Sequence, residues 1–549
     1  MKVEAWVRVA LSLFSLSLWL IPVALPTSNG GVPPVSCGES ITSDTLLTVD
    51  LVCPSDGLDI SADNITLDCD GHSITGTLVG SIGILSRNRK NVTVTGCRVQ
   101  NFYDGVVFDA TTGGRILGNT ANQNGLNGFY LESSTDITLS NNTAYDNIHG
   151  FRVYNSQSNT LLSNRSWNNS NYGFLLTYGS FNNLTLNIAE HNMISGFGLG
   201  QSSDYFLISN QAVHNQGSGF NLDMLNSSRV FSNKASNNTF GFALSQSFNN
   251  LLSRNQGISN SYAGFLLFPA ANNTLELNQA SQNSVGFHVQ RSPNNTIVSN
   301  TVVSNELGIR LLNSTDNLVY NNHLDNIANA LDDAANSWNI SKTAGTNIVG
   351  RYFLGGNYWS DYRGQDLDED GLGDTILPHN STGGIQYGGD SHPLVPPSPD
   401  FNITTVSAMV TVKMGATEVL TVTLDAKNGF NGNVTVTSTT TPEPGLVVEC
   451  TPVIVHLQTT GLLTCRLTLS APGTYNVIVT GTSGSLSRTV TVSVLVEASS
   501  SPNPSPTLFG FQPSEVYAVA AVIVGVALAT VGGGFVLRAR SRGVIRTKS

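Results

Sequence analysis

The sequence predicts an all-β protein whose main body is a right-handed parallel β-helix of about twelve coils. A glycine followed by an apolar residue recurs at steps of 22 or 23 residues, at Gly83, Gly105, Gly128, Gly150, Gly173, Gly196, Gly219, Gly241, Gly264, Gly286 and Gly308. Asparagines recur with the same steps, at Asn119, Asn141, Asn164, Asn187, Asn210, Asn233, Asn255, Asn278, Asn300 and Asn322. Between these markers, short alternating segments such as 159–164 leave no room for helices.

Alternation along each short strand predicts which side chains are buried. Strand residues point to opposite faces in turn, so one phenylalanine per coil is expected to stack inside the rod. These are Phe129, Phe151, Phe174, Phe197, Phe220, Phe242, Phe265 and Phe287. Asparagine tolerates left-handed φ at tight bends and its amide can bond the asparagine one coil away, so the asparagine column is interpreted as structural. A leucine-rich repeat has a similar period, but its Leu-x-x-Leu-x-Leu frame is missing.

Composition excludes some classes of partner. Only 11% of the residues are charged, against roughly 25% in average globular domains. The formal net charge is -11, and clustered Lys and Arg occur only at the extreme C-terminus. A protein that binds phosphate backbones needs such clusters, so nucleic acid is not expected as a partner.

The two ends predict export and anchoring. Residues 1–28 carry Lys2 and Arg8 before an apolar run, which is the layout of a signal peptide. Residues 515–537 are long and apolar enough for one transmembrane helix, and the tail 538–549 is basic. Basic residues next to a span stay in the cytoplasm, so a single-pass type I protein of the cell membrane is expected, with most of the chain extracytoplasmic.

The region outside the membrane divides into several parts. We expect the β-helix over 37–350, a C-terminal cap over 351–398, and a Ser/Pro linker over 498–514. Residues 400–497 alternate Thr and Val between turn signals, which predicts an Ig-like β-sandwich, and this part resembles the Ig-like modules of microbial surface proteins. Sequons such as Asn64, Asn91 and Asn183 predict a glycoprotein.

Six cysteines in an exported region favour disulfides. Cys37 with Cys53 and Cys450 with Cys465 are the preferred pairs, because each closes a short local loop. Cys69 and Cys97 lie at similar places in adjacent coils, and both a third bridge and two free buried thiols remain open for them.

Both ends of the predicted rod carry sequences that resemble a known family. Cys37-Gly-Glu-Ser-Ile-Thr and Gly57-Leu-Asp-Ile-Ser-Ala-Asp-Asn-Ile-Thr-Leu-Asp open it, and Gly356-Asn-Tyr-Trp-Ser-Asp-Tyr362 with His392-Pro-Leu394 close it. These segments resemble the caps of the NosD-like β-helix family, over about residues 37–396. The resemblance implies a fold grouped with carbohydrate-binding proteins and sugar hydrolases. The family is named for copper maturation, but the nine His and five Met here are scattered, so no copper is expected.

An acidic loop in the C-terminal cap predicts a calcium site. Its D-x-D-x-D-G-x-x-D spacing sets alternate carboxylates around one hard cation. The expected ligands are Asp366, Asp368, Asp370, Asp374 and the carbonyl of Leu372. Position twelve is Leu377 rather than Glu, so the loop is not an EF-hand, and a structural role is expected.

The outward columns of the rod offer candidates for ligand binding and catalysis. Asp109 and Glu132 both stand four residues after a marker glycine, about 5 Å apart on adjacent coils, the spacing of a retaining glycosidase pair. The following members of their column include no Arg or Lys to hold a uronate. The aromatic and acidic residues Tyr130, Tyr154, Asp223 and Phe268 are candidates for a shallow sugar-stacking face. His191 and His214 are also in register, but two histidines without a third ligand make a weak metal site.

These observations favour a non-enzymatic cell-surface β-helix that binds a polysaccharide or an envelope glycoprotein. A polysaccharide hydrolase or lyase acting through the coil-surface carboxylates is the first alternative. A purely structural envelope component is the second. The sequence does not decide whether the chain is an enzyme.

Overall fold

The computed structural model describes residues 35–77, 80–442 and 445–498, and in these ranges the chain forms strands, turns and loops but no helix. The described residues divide into two compact units, with the boundary between residues 397 and 398. Nothing in the described ranges is a helix long and apolar enough to cross a membrane. The predicted signal peptide, the transmembrane helix, the basic tail and nearly all of the linker lie outside the described residues.

The first unit is a parallel β-solenoid of about thirteen turns, built from three parallel sheets. Each turn contributes one strand to each sheet, because the chain bends three times between consecutive long strands, once after each strand. The main path of sheet 1 comprises Ser40–Ile41, Leu58–Ile60, Ile82–Arg87, Asp104–Asp109, Asn127–Glu132, His149–Tyr154, Tyr172–Thr177, Ser195–Ser203, Ser218–Asn226, Phe240–Ser245, Ala263–Leu267, Val285–Gln290, Leu307–Leu312 and Ala328–Asp332. Two short strands, Ser247–Phe248 and Ala270–Ala271, extend it at one side.

Sheets 2 and 3 consist almost entirely of three-residue strands. Sheet 2 comprises Thr45–Leu46, Thr66–Asp68, Thr93–Thr95, Arg115–Leu117, Thr138–Ser140, Thr160–Leu162, Asn183–Thr185, Phe206–Ile208, Arg229–Phe231, Leu251–Ser253, Thr274–Glu276, Thr296–Val298 and Leu318–Tyr320. Sheet 3 comprises Leu51–Val52, Ser73–Thr75, Arg98–Gln100, Thr120–Asn122, Thr143–Tyr145, Arg165–Trp167, Ile188–Glu190, Gln211–Val213, Lys234–Ser236, Gln256–Ile258, Gln279–Ser281, Thr301–Val303, His323–Asp325 and Tyr358–Trp359. The predicted three-strand coil is therefore confirmed.

The predicted phenylalanine column is also confirmed. The rings from Phe129 to Phe287 are fully buried and stack in parallel, with neighbouring centroids 4.7–4.9 Å apart. The marker glycine lies just before each ring, where an added Cβ would clash with the next turn. A Cβ on Gly173 would lie 2.7 Å from the carbonyl oxygen of Gly196 and 2.8 Å from the amide nitrogen of Asn192. Any side chain there would push adjacent turns apart, which explains why glycine recurs.

Buried asparagines form ladders between the sheets, as predicted, but the predicted column was wrong at one turn. Asn164 donates both its backbone N–H and its side-chain amide to Oδ1 of Asn187, at 2.9 and 3.0 Å. The member one turn before Asn164 is Asn142, whereas Asn141 is exposed. The left-handed φ predicted for the column belongs instead to the preceding residue, with 55° at Asn141 and 54° at Ser163. The bend precedes the ladder residue because that residue must point its amide inward.

Two further ladders were not predicted. One runs from Asn124 to Asn329, and the other runs from Asn159 to Asn336 with Tyr205 and Ser228 replacing asparagine in two turns. Together the ladders satisfy the backbone donors at the bends of the rod, where ordinary sheet hydrogen bonding stops.

The cap that follows the last turns contains two buried tryptophans, Trp338 and Trp359. The indole of Trp359 donates to the fully buried carboxylate of Asp390 at 2.8 Å, and the backbone N–H of Asn357 donates to the same oxygen at 2.7 Å. A short hairpin of Thr343–Ala344 and Phe353–Leu354 lies in the same region. Burial raises the pKa of Asp390 to about 6, against the effect of these donors.

The second unit contains a four-stranded and a five-stranded sheet that share one hydrophobic core. In spatial order the four strands are Asp400–Thr405, Glu418–Lys427, Thr460–Leu469 and Leu446–Thr451. The five strands are Met409–Lys413, Leu486–Glu497, Gly473–Ser483, Gly432–Thr441 and Ile454–Leu457. Pairing is antiparallel except between the first two strands of the larger sheet. The assignment of this unit as Ig-like stays a prediction.

All six cysteines form disulfides. Cys37–Cys53 and Cys450–Cys465 are the predicted pairs, and both are confirmed. Cys69 and Cys97, which the sequence left open, form the third bridge. Two of the three bridges therefore link the first turns of the rod.

Candidate functional site

The outer face of sheet 1 is the candidate functional site. In the strand Asn127–Glu132, Phe129 and Leu131 are buried inside the rod, while Tyr130 and Glu132 point outward and are half-buried. Parallel pairing then brings equivalent residues of successive turns side by side, so that Tyr130 is aligned with Arg152 and Glu132 with Tyr154. The face is therefore a set of columns whose members are about 4.8 Å apart.

Five residues on this face form what we call the proximal patch: Tyr130, Glu132, His149, Arg152 and Tyr154. The guanidinium carbon of Arg152 lies 5.2 Å from the ring centroid of Tyr130 and 5.7 Å from that of Tyr154. Burial, with the charge of Glu132 beside it, raises the pKa of the Tyr130 phenol. The patch therefore presents aromatic rings, a fixed cation and a carboxylate within two adjacent turns.

The proximal patch lies beside a row of buried polar side chains. The amide of Asn127 donates to Oδ1 of Asp104 at 2.7 Å, and burial raises the pKa of that carboxyl group. His149 is 8% exposed and stacks on Tyr172, with centroids 5.8 Å apart. Burial, reinforced by the charge of Arg152, lowers the pKa of His149 to about 4. The imidazole is therefore neutral at pH 7.

A second group on the same face, which we call the distal patch, consists of Tyr262, His288 and Arg310. The hydroxyl of Tyr262 lies 3.1 Å from Nδ1 of His288, and His288 is 4% exposed. His288 and Arg310 are aligned in adjacent turns. Burial, with the charge of Arg310, lowers the pKa of His288 to about 4, so this imidazole is also neutral at pH 7.

Hydrogen-bond satisfaction distinguishes this face from the rest of the described chain. Over the described residues, eight buried side-chain polar atoms have no hydrogen-bond partner within the protein. Five of them lie on the outer face of sheet 1, and they belong to Asn127, His149, Arg152, His288 and Arg310. Buried polar groups are normally paired, so a concentration of unpaired ones indicates where water or a ligand supplies the missing partner.

The structure places the carboxylates predicted as a catalytic pair in adjacent turns, with Asp109 aligned to Glu132. Asp109 accepts a hydrogen bond from Nε of Arg87 at 2.8 Å. Arg87 occupies the same column one turn earlier. Asp109 is thus paired with Arg87, a contact that the repeat pattern did not predict.

The predicted sugar-stacking residues are partly brought together. Tyr130 and Tyr154 both belong to the proximal patch, and Tyr154 also meets Tyr178 edge to face at 5.4 Å. Asp223 lies three turns from Tyr154 in the same column, about 14 Å away. Phe268 lies two turns further on, with the guanidinium carbon of Arg291 5.7 Å from its ring centroid. These two candidates are therefore separate from the tyrosines.

Sequence reasoning missed the cations and buried histidines of the face. Arg152, His288 and Arg310 all stand two residues after a marker glycine, in the same outward column as Tyr130. That regular offset was the available signal. The burial of His149 and His288 had no signal in the sequence, because it depends on the bulk of neighbouring side chains.

In the acidic loop, oxygen atoms of Asp366, Asp368 and Asp374 lie within 4.8 Å of one another. Asp370, also predicted as a ligand, forms an ion pair with Lys342 instead. Burial tends to raise the pKa of Asp370, but the hydrogen bond from Lys342 lowers it. Leu372 is buried and donates its N–H to Oδ1 of Asp370 at 2.7 Å.

Within the same loop, Arg351 donates to Asp366 at 3.1 Å. Two basic side chains, Lys342 and Arg351, thus already neutralise part of the loop's negative charge.

The rings of His191 and His214 stack in adjacent turns with centroids 5.1 Å apart. In the described residues, the carboxylate trio of the acidic loop is the one group of three or more side chains positioned to share a metal ion. The two histidines are therefore an exposed stacked pair.

The family described as "Periplasmic copper-binding protein (NosD)" matches residues 61–234 and 198–364. Together these ranges cover more than half of the 549 residues. The chain belongs to the NosD family. This confirms the resemblance that the two caps indicated, and the parallel β-solenoid agrees with it. No curated protein sequence matches the chain.

Several solved structures are similar to parts of the chain. The periplasmic alginate epimerase AlgG has 16% identity and a TM-score of 0.30, with 53% of this chain and 77% of AlgG covered. Pectate lyase Pel9A has 15% identity and a TM-score of 0.24, with 56% and 66% covered.

Domains 4 and 5 of the S-layer protein SbsC have 22% identity and a TM-score of 0.16, with 19% and 57% covered. The chain thus spans less than two thirds of that structure. At these TM-scores, none of the three likenesses supports a functional inference.

The family description mentions copper, and the donor atoms of this chain do not fit a copper site. Copper prefers thiolate, thioether or imidazole ligands in a cluster. All six cysteines are in disulfides, and the grouped metal ligands of the described residues are carboxylates. The expectation that the chain carries no copper stays a prediction.

Proposed function

We propose that the chain is a non-catalytic surface protein that binds carbohydrate on the outer face of sheet 1, at the proximal patch. The observation that carries this proposal is the grouping of Tyr130, Arg152 and Tyr154 on a rigid sheet, beside buried polar atoms without partners. Tyrosine rings provide apolar surface for the faces of sugar rings and a hydroxyl for their edges. Charged side chains form the stronger hydrogen bonds to sugar hydroxyl groups.

Rigidity supports the proposal. Tyr130 and Arg152 project from strands paired on both sides, and the residues that flank them in each strand are buried. Binding therefore orders few groups, and the entropic cost of association is small. A shallow, open face of this kind suits an extended polymer better than a small molecule that needs enclosure.

The test is affinity electrophoresis of the full chain through gels that contain neutral or acidic polysaccharides. Tyr130→Ala and Tyr154→Ala should each reduce retardation at least tenfold. Tyr145→Ala is the matched control, since Tyr145 stacks on Trp167 on the outside of sheet 3 and lies in the same part of the rod. Equal loss with the control variant, or no retardation by any polysaccharide, would refute the proposal.

A polysaccharide hydrolase or lyase is the second candidate, favoured by the alignment of Asp109 with Glu132. To distinguish an enzyme from a non-catalytic binder, the full chain is incubated with each polysaccharide that retards it, and the new ends of the polysaccharide are measured. Chain-end release that Asp109→Asn or Glu132→Gln abolishes would establish the enzyme. Retention without release supports the binder.

We also propose that the rod is displayed outside the cell as a type I single-pass glycoprotein, with residues 400–497 as an Ig-like spacer. The apolar segment 515–537, followed by the basic tail, supports this topology. Protease added to intact cells should remove the rod and leave a fragment that contains the C-terminal tail. Protection of the rod would exclude this topology.

A structural calcium ion in the acidic loop is a further proposal, supported by the grouping of Asp366, Asp368 and Asp374. Calorimetry of the full chain should show Ca²⁺ binding that Asp368→Asn with Asp374→Asn removes. If neither heat nor a shift in melting temperature accompanies Ca²⁺ addition, the loop is stabilised by Lys342 and Arg351 instead.

A further inference from the structure

The distal patch repeats the chemistry of the proximal patch six to seven turns further along the same face. Each patch combines a tyrosine, an arginine and a histidine that is more than nine-tenths buried. In each patch one histidine nitrogen and Nε of the arginine are buried without a hydrogen-bond partner. These four atoms are half of the eight such atoms over the described residues. Their arrangement as two His–Arg pairs indicates two sites rather than scattered defects.

The distal patch presents hydrogen-bond donors. His288 is neutral at pH 7, because burial and Arg310 lower its pKa to about 4. When the phenol of Tyr262 donates to Nδ1, the proton of the neutral imidazole lies on Nε2. Nε2 of His288 and Nε of Arg310 are then both N–H donors that lack an acceptor. Two buried donors and one guanidinium charge on adjacent turns call for an anionic acceptor.

Local charge differs between the two patches. Burial raises the pKa of Asp104, and the hydrogen bonds from Asn127 and the charge of Arg152 oppose that rise. Neither Arg152 nor Arg310 is among the arginines that form ion pairs in the described chain. The proximal patch nevertheless includes the carboxylate of Glu132, whereas Tyr262, His288 and Arg310 include no carboxylate. The proximal patch therefore contains its own counter-charges, whereas the distal patch lacks one.

A single uncharged column connects the patches. Between Arg152 and His288 the aligned residues are Leu175, Gly198, Asn221, Ala243 and Leu266. At Gly198 the ring of Tyr172 covers the backbone, and a Cβ there would lie 2.6 Å from that ring. Arg152 and Arg310 are seven turns apart, or about 34 Å. One extended chain along the rod axis can meet both patches.

We propose that the distal patch is an oxyanion-binding subsite, and that the ligand of the face is an acidic polysaccharide lying along the rod axis. This inference rests on the function proposed above and adds the charge and the direction of the ligand. Arg310 and His288 bind one carboxylate, sulfate or phosphate group of the chain, while sugar rings stack on the tyrosines of the proximal patch. Two linked contacts raise the affinity of long chains well above that of either contact alone.

The experiment compares the full chain with three variants, Arg310→Gln, Arg152→Gln and Arg229→Gln, by affinity electrophoresis and calorimetry. Arg229 is the matched control, because it is exposed on sheet 2 and lies over Phe206. The probes are polyuronates fractionated by length, their carboxyl-reduced neutral counterparts, and a sulfated polysaccharide. Melting curves of each variant check that the rod remains folded.

The proposal predicts that acidic chains long enough to span about 34 Å bind at least tenfold more tightly than shorter ones or than the neutral counterparts. Arg310→Gln should remove this advantage, so that long acidic chains bind no more tightly than their neutral counterparts. Arg152→Gln should weaken all of them, and Arg229→Gln none. If Arg310→Gln weakens the binding of polyuronates, the group bound at the distal patch is a carboxylate. If it weakens the binding of the sulfated polymer alone, that group is a sulfate.

Two outcomes would overturn the inference in different ways. If neutral and acidic chains bind equally and Arg310→Gln has no effect, the distal patch is not a subsite, while the proposed function stands. If no polysaccharide binds, the proposed function fails and the inference fails with it.

Discussion

The inside of the rod and the outer face of sheet 1 follow opposite rules. Inside, the same residue type recurs turn after turn, as in the phenylalanine stack and the asparagine ladders. Outside, one column reads Val107, Tyr130, Arg152, Leu175 and Gly198 over five successive turns. An inner side chain must fit a copy of itself above and below, whereas an outer one meets solvent. A column of one residue type therefore reflects the constraint of stacking, whereas a column of varied residues can carry functional side chains.

Hydrogen bonding shows the same contrast. A ladder asparagine such as Asn187 uses both amide donors and its oxygen, in contacts of 2.8–3.0 Å. On the outer face His149 and Arg152 are buried at atoms that have no partner. Substitutions inside should therefore reduce stability, and substitutions on the face should mainly reduce binding. The predictions below test this division.

The largest stability loss is expected from Phe197→Ala in the middle of the phenylalanine stack. Removing a fully buried ring between two parallel neighbours leaves a cavity, and the free energy of unfolding should fall by about 3–5 kcal/mol. Denaturant unfolding measures this loss. Phe206→Ala is the control, because Phe206 is 41% exposed on sheet 2. Comparable losses in the two variants would mean that the stack is not the main interior contact.

A somewhat smaller loss is expected from Asn187→Ala. The variant leaves the backbone N–H of Asn164 and the carbonyl of Leu161 without their partners, so unfolding should become easier by about 2–3 kcal/mol. Asn168→Ala is the control, since that exposed asparagine bonds Asp146 at the surface. Equal melting temperatures for Asn187→Ala and the unsubstituted chain would contradict the ladder's role.

Acid should destabilise the outer face through its two buried histidines. Their folded pKa values of about 4 lie below the ordinary value of 6.5, so the stability they contribute is complete above pH 6.5 and is lost as pH falls toward 4. At pH 4.5 the loss should be about 2 kcal/mol per histidine.

The double variant His149→Gln with His288→Gln tests this prediction, because it should make the melting temperature depend less on pH. His214→Gln, at an exposed position, should leave that dependence unchanged. A double variant as sensitive to acid as the unsubstituted chain would show that other groups govern this range.

The smallest effect on stability is expected from Tyr130→Ala. Tyr130 is half-buried and outside the core, so the free energy of unfolding should change by less than about 1 kcal/mol. Its effect on polysaccharide binding should nevertheless be at least tenfold. A large stability loss without a change in binding would show that Tyr130 acts like an interior residue. It would contradict the division of roles between the inside of the rod and the outer face.

The sequence predicted the interior better than the surface. Period and alternation were enough for the three-strand coil, the phenylalanine stack and one asparagine ladder, because these columns obey one rule in every turn. The choice of Asn141 over Asn142 was wrong, since adjacent asparagines fit the period equally well. Only the direction of the side chain distinguishes the bend residue from the ladder residue.

Surface chemistry was less accessible from the sequence. The pairing of Asp109 with Arg87, and of Asp370 with Lys342, depends on side-chain conformations across turns that the period does not encode. The burial of His149 likewise depends on Tyr172 lying over it. In the distal patch, His288 and Arg310 share one offset from the marker glycines, but the contact of Tyr262 with His288 depends on side-chain conformation, which the period does not encode.

The most direct test of the division is hydroxyl-radical footprinting of the full chain with and without a retained polysaccharide. The account predicts protection of Tyr130, Tyr154 and Tyr172 on sheet 1, while Tyr145 and Trp167, from the same part of the rod but on sheet 3, stay unchanged. Protection of the sheet 3 pair instead, or equal protection on both sides, would contradict it.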